Sequence, residues 1–151
     1  MMLGNGKKIF LAEDDPLIAG VYVEALKASG FAVDLAFDGE QAIDMLDKMY
    51  AAEDPPAVVL LDVMMPKKTG LAVLIHIKQR DPMRYTPVIM LTNLSDTADV
   101  DRALEAGAVM YLVKVQNTPK DVVAKVSEMA ESYHGPQNTA AASARSEAVS
   151  K

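Results

Sequence analysis

Short apolar runs alternate with amphipathic stretches along most of the chain. Ile9-Phe10-Leu11-Ala12 has the length and character of a strand. Asp15-Pro16 follows as an N-cap and first-turn pair, and Ile18, Val21, Tyr22 and Ala25 recur at helical spacing up to Gly30, a left-handed stop. Phe31 to Phe37 predicts a second strand, with Asp34 inside it. Asp38 to Gln41 has the form of a capping box, and Ala42, Ile43, Leu46 and Met49 make the next stripe. After the Pro55-Pro56 break, Ala57-Val58-Val59-Leu60-Leu61 is a continuous apolar run of the kind buried on both faces.

The pattern then repeats. Leu71, Leu74 and Ile75 mark a third helix and Val88 to Leu91 a fourth strand. Ser95 caps a fourth helix that stops at Gly107, and Val109 to Val113 is a fifth strand. Thr118, Pro119 and Asp121 start a fifth helix carrying Val122, Val123, Val126, Met129 and Ala130. Strictly alternating strands and helices imply a parallel sheet wrapped on both faces by right-handed crossovers. Strands one, three and four are uniformly apolar and belong in the centre; strand two carries Asp34 and belongs at an edge. The fold class is therefore α/β, a flavodoxin-like doubly wound sheet of five parallel strands in the order 2-1-3-4-5, with five helices.

Residues 7–134 are expected to form the folded domain, with 1–6 a flexible lead-in. Residues 135–151 follow a Gly-Pro stop, lack large apolar residues, and are expected to be a disordered tail dispensable for folding. The chain has 151 residues, half of them apolar, enough for one proper core. A net charge of −6 argues against a nucleic-acid partner. The absence of cysteine excludes disulfides, thiol catalysis and Cys-based zinc sites. No apolar run approaches the roughly 18 residues of a membrane-spanning helix, and no signal peptide opens the chain, so a cytoplasmic location is expected.

In open sheets of this kind, ligands bind beyond the carboxyl ends of the strands, at the switch point of the strand order. There the chain places Glu13-Asp14-Asp15 after strand one, Asp62 after strand three, Thr92 at the end of strand four and Lys114 at the end of strand five. Clustered carboxylates repel, and a hard cation such as Mg²⁺ removes that repulsion. A lysine and a hydroxyl opposite suit an anion bound to that metal, which is what a transferring phosphoryl group requires. Taken singly, each residue also has a plain role as a cap, a turn former or a strand residue.

Phe10-Leu11-Ala12-Glu13-Asp14-Asp15-Pro16 resembles the acidic opening of response-regulator receiver domains, and Asp62-Val63-Met64-Met65-Pro66-Lys67-Lys68-Thr69-Gly70 resembles their phosphoacceptor loop. Thr92 and Lys114 match the family's threonine and lysine, and the resemblance spans about residues 7–133. It implies that Asp62 accepts a phosphoryl group from a sensor histidine kinase or phosphotransfer protein. Asp14, Asp62 and the Met64 backbone carbonyl would hold Mg²⁺, with Glu13 acting through water. Lys114 would pair with the acyl phosphate and Thr92 would swing onto it. Tyr111 would be the coupled aromatic on the face of helix four, strand five and helix five, where a downstream protein docks. The chain would be a stand-alone regulatory phosphoacceptor rather than an enzyme in the turnover sense.

Three departures stand out. Val115 follows the lysine where the family usually has a proline; a cis bond without proline costs about 2.5–4 kcal/mol, so this bond is expected to be trans or strained. Asn93 replaces a very small residue, and Met64 and Leu94 are apolar where many relatives are polar. Two rival readings are a phosphatase with an aspartyl nucleophile, which uses a second acid where Met64 stands, and a pseudo-receiver that binds partners without phosphorylation. His76 and His134 have no matching ligands, and Gly4-Asn5-Gly6-Lys7 lacks the spacing of a phosphate-binding loop.

Overall fold

The computed structural model describes residues 4–93 and 97–132. Five strands, β1 (Lys8–Ala12), β2 (Ala32–Ala36), β3 (Val58–Asp62), β4 (Val88–Thr92) and β5 (Met110–Val113), alternate with five helices, α1 (Pro16–Ala28), α2 (Gly39–Ala51), α3 (Gly70–Lys78), α4 (Thr97–Ala106) and α5 (Pro119–Ser132). The strands form one parallel sheet in the order β2-β1-β3-β4-β5, as the apolar pattern predicts.

Side-chain alternation divides the core between the two faces of the sheet. Phe10, Val59 and Leu61 point to one face, where Leu46 of α2, Val73 and Ile77 of α3 and Ala103 of α4 cover them. Ile9, Leu11, Val58 and Leu60 point to the other, beneath Tyr22 and Leu26 of α1 and Val122 and Val126 of α5. Every residue of β3 and β4 is buried, which is why those strands read as unbroken apolar runs. No helix among the described residues is long and apolar enough to cross a membrane.

The helix starts follow their signals. Asp15 Oδ1 accepts from Leu17 N at 2.9 Å, with Pro16 in the first turn. Thr118 and Asp121 cap α5 reciprocally, at 2.9 and 3.2 Å. At α2 the expected box is shifted by one residue. Asp38 accepts from Gln41 N at 2.7 Å, but Gln41 Oε1 reaches back to Phe37 N at 2.8 Å rather than to Asp38.

Two stripes also differ from expectation. α1 buries Ala19, Tyr22 and Leu26, leaving Val21 50 % exposed. α3 buries Val73, Leu74 and Ile77, and Ile75 is exposed. In each helix two interleaved apolar sets exist in the sequence, and the way the helix is turned toward the sheet buries one of them. Gly4 to Gly6, expected to belong to a flexible lead-in, form a turn in which Gly4 N donates to Ser29 O at 2.6 Å and Gly6 N to Gly30 O at 2.8 Å. Leu94, the Ser95 cap, His134 and the segment 135–151 lie outside the described residues.

Lys78, at the end of α3, spans to the loop before β4. Its ammonium donates to the carbonyls of Arg84 at 2.9 Å and Thr86 at 3.0 Å, and burial lowers its pKa to about 8.

Candidate phosphoacceptor site

The site is assembled at the carboxyl ends of β1, β3, β4 and β5. Glu13 N donates to Ala36 O at 3.0 Å, which carries the β1–β2 ladder one residue past the strand and fixes Glu13 at the carboxyl end of β1. Its side chain turns inward and is 1 % exposed, and Oε2 accepts from Asp15 N at 3.2 Å. Asp14 stays exposed. Asp62 closes β3 opposite Leu91 of β4, Val63 N donates to Leu91 O at 2.9 Å just beyond it, and Asp62 is only 4 % exposed. Glu13, Asp14 and Asp62 each present a carboxylate oxygen, all within 4.8 Å of one another.

Lys114 enters from the single 3₁₀ turn Lys114–Gln116 that follows β5. Its Nζ donates to Glu13 Oε1 at 2.8 Å and lies 3.1 Å from Asp62 Oδ1. Among the described residues the cis peptide bonds include only Asp81-Pro82, so Lys114-Val115 is trans, and the lysine reaches the acids without the family's proline.

The electrostatics follow from burial. Desolvation pushes the Asp62 carboxyl up to about 7; a hydrogen bond and like charge from Glu13 add to the rise, and the Lys114 cation only partly offsets it. Burial works against the charge of Lys114, but its hydrogen bond to Glu13 and the two carboxylate charges outweigh that and hold its pKa above the usual lysine value. Tyr22 on α1 faces the same cluster, and burial first of all raises its phenol.

Thr92 is buried at the end of β4, with its hydroxyl donating to Asn93 O at 3.0 Å. Beyond it a cavity of ≈ 360 Å³ opens between α4 and β5, lined by Thr92, Val100, Leu104, Tyr111 and Val113. Tyr111 is 43 % exposed at its rim. The Met64 side chain is 52 % exposed.

Two backbone approaches in the site were not foreseen from sequence. A Cβ at Gly70 would lie 2.1 Å from Asp62 O, and one at Gly39 would lie 1.9 Å from Lys68 O. Gly70 N also donates to Val63 O at 2.9 Å, closing the loop that follows Asp62. Gly39 lets the start of α2 lean on that loop, where Lys67 pairs with Asp38 at 3.6 Å. The glycines were visible in the sequence; what they touch depends on the packed fold.

A buried carboxylate at a strand end, flanked by two further acids and a lysine at the switch point of a 2-1-3-4-5 sheet, defines a receiver-type site. The family model described as the response regulator receiver domain matches residues 9–127. The transcriptional regulatory protein CpxR of Escherichia coli is 40 % identical over 127 residues, 84 % of this chain and 50 % of that protein. The chain spans about half the length of such curated relatives. Among solved structures, the receiver domain of the Francisella response regulator 1452 superposes with a TM-score of 0.74 at 25 % identity, covering 85 % of this chain and 100 % of that one. The Mn²⁺-bound form of response regulator Rcp1 gives a TM-score of 0.68 at 31 % identity, covering 84 % and 93 %. The chain belongs to the response regulator receiver domain family.

Proposed function

We propose that this receiver domain is a phosphorylation-dependent switch whose phosphoacceptor is Asp62. The carrying observation is the Lys114 ammonium set between Glu13 and the buried Asp62, 2.8 and 3.1 Å away. That arrangement holds a nucleophilic carboxylate and a cation on one spot, where an incoming phosphoryl group needs both. A carboxylate oxygen of Asp62 forms the new bond to phosphorus as the bond to the donor's imidazole nitrogen breaks. Lys114 then pairs with a phosphoryl oxygen, and the Thr92 hydroxyl turns from Asn93 O toward the same group. Tyr111 and the α4–β5 cavity beside Thr92 form the face that reads the change for a protein target. The role is that of a regulatory phosphoacceptor fed by a histidine kinase or phosphotransfer protein.

The donor set fits Mg²⁺. Three hard carboxylates lie within 4.8 Å, and the charged form of Asp62 is penalised by its surroundings, which a bound cation relieves. Asp14, Asp62 and the Met64 carbonyl would hold it, with Glu13 behind; the Mn²⁺ carried by Rcp1 supports a divalent site of this kind. When bound, the ion neutralises charge on the acids and on the transferring group.

Incubation with acetyl phosphate and Mg²⁺, followed by intact mass measurement, tests the proposal: one phosphoryl group should add, and an unchanged mass would support the pseudo-receiver reading. A phosphatase would instead turn the donor over in many cycles. Asp14→Ala should weaken Mg²⁺ binding at least about tenfold while the protein stays folded, because Asp14 is exposed and its removal relieves repulsion. A Mg²⁺ titration matching the wild type contradicts its place as a ligand.

Phosphate lifetime depends on whether a side chain can orient an attacking water. Met64 is apolar, half-exposed, and two residues past Asp62. Met64→Asn is expected to speed dephosphorylation several-fold, since positioning is worth much in phosphoryl transfer. Equal decay rates in the two proteins would show that this position does not set the lifetime.

A further inference from the structure

We infer that Asn117 is a positioning residue for Lys114. The inference rests on the phosphoacceptor reading above and asks what holds the lysine in place. Its backbone belongs to a single turn, Lys114–Gln116, which has no side-chain cap of its own. Val115 is 74 % exposed and contributes little packing, and its peptide bond to Lys114 carries no proline ring to restrict it. Below the turn lies a cavity of ≈ 270 Å³, lined by Ile18, Val21, Tyr22, Lys114, Val115 and Asn117 among others. Packing therefore does not fix the turn from that side.

One hydrogen bond brackets it. Asn117 Nδ2 donates to Val113 O at 2.9 Å, joining the residue after the turn to the residue before it. Asn117 is itself anchored, because Thr118 begins the reciprocal cap with Asp121 that starts α5. The sequence of supports runs from the first turn of α5 through the Asn117 amide to the last carbonyl of β5, from which Lys114 projects. Loss of the bond lets the turn relax toward the cavity. A lysine whose Nζ must meet two oxygens at about 3 Å tolerates little such movement, since roughly 1 Å of misplacement can cost a hundredfold in rate.

The test compares acetyl phosphate labelling rates of wild type, Asn117→Ala and Asn117→Asp, with Mg²⁺ affinity and melting temperature measured alongside. Asn117→Asp has the same shape without the donor and carries the test if Asn117→Ala does not fold. Both are expected to label about tenfold more slowly, with Mg²⁺ affinity within about twofold of wild type, because the metal ligands are elsewhere. In a Lys114→Ala background the Asn117 change should cost nothing more, since no ammonium remains to be placed. That coincidence separates positioning from general loop stability. Wild-type rates in both variants, or an equal further loss in the Lys114→Ala background, overturn the role of Asn117 alone. Failure of the wild type itself to label overturns the phosphoacceptor reading and this role with it.

Discussion

Asp62→Asn should gain no phosphoryl mass in acetyl phosphate and Mg²⁺, and above pH 7 its metal-free form should melt higher than the wild type. The first effect follows from loss of the nucleophile. The second follows from the pKa of the wild-type carboxyl, which burial and Glu13 push up to about 7 in the folded state. Between the ordinary carboxylate range and that value, the native protein keeps a proton that the unfolded chain has released. Native stability therefore falls as pH rises through this window, and the whole loss is present above it. Each pH unit of the window is worth about 1.4 kcal/mol before relaxation and water entry reduce it. An uncharged amide avoids the loss. The variant should lead by about 5 °C at pH 8 without metal and by nothing near pH 4. Saturating Mg²⁺ should raise the wild type and leave the variant unmoved. A variant that melts lower than wild type at pH 8 in chelator would show that Asp62 is not under charge stress.

Gly70→Ala should be among the most damaging small changes in the domain. The added carbon would meet the carbonyl oxygen of Asp62 at 2.1 Å and its carbonyl carbon at 2.9 Å. Both are backbone atoms, so no rotamer change relieves the contact. Either α3 moves away, opening the bond from Gly70 N to Val63 O and uncovering Val73 and Leu74, or β3 shifts beneath the acceptor. Overpacking of this kind costs about 3 kcal/mol. Labelling of whatever remains folded should drop by at least about tenfold, because Asp62 would be displaced from Lys114. A urea midpoint and labelling rate equal to wild type would contradict the closeness of this approach.

The strand order was legible because its evidence is compositional. Three unbroken apolar runs can only be interior strands, and Asp34 can only sit at an edge. The site was legible for the related reason that chemistry gathers at strand ends once that order is known. Glu13, Asp14, Asp62 and Lys114 do meet there. The choice between Val21 and Ala19, or Ile75 and Val73, was not legible, because both candidates are apolar and only the way the helix is turned toward the sheet decides between them. Nor was the bracket from Asn117 to Val113, since asparagine before a helix ordinarily reads as a turn residue. The trans bond before Val115 lay between two open alternatives; the 3₁₀ turn that replaces the proline bend became visible only with the backbone.

The complete burial of β3 separates the parts of the site in time. Its amides, paired on both sides to β1 and β4 and covered by helices on both faces, open only with the whole domain. Asp62 thus rides on the slowest element of the molecule. Lys114 rides on a single exposed turn beyond a four-residue edge strand, which can open locally at far smaller free-energy cost. In hydrogen–deuterium exchange, β3 should be among the last segments to take up label and residues 114–116 among the first. The acceptor would stay fixed over hours while the turn that carries its cationic partner opens and recloses, returning Lys114 to Glu13 and Asp62 each time. A switch built this way can rearrange its responding half without ever loosening the atom that carries the signal.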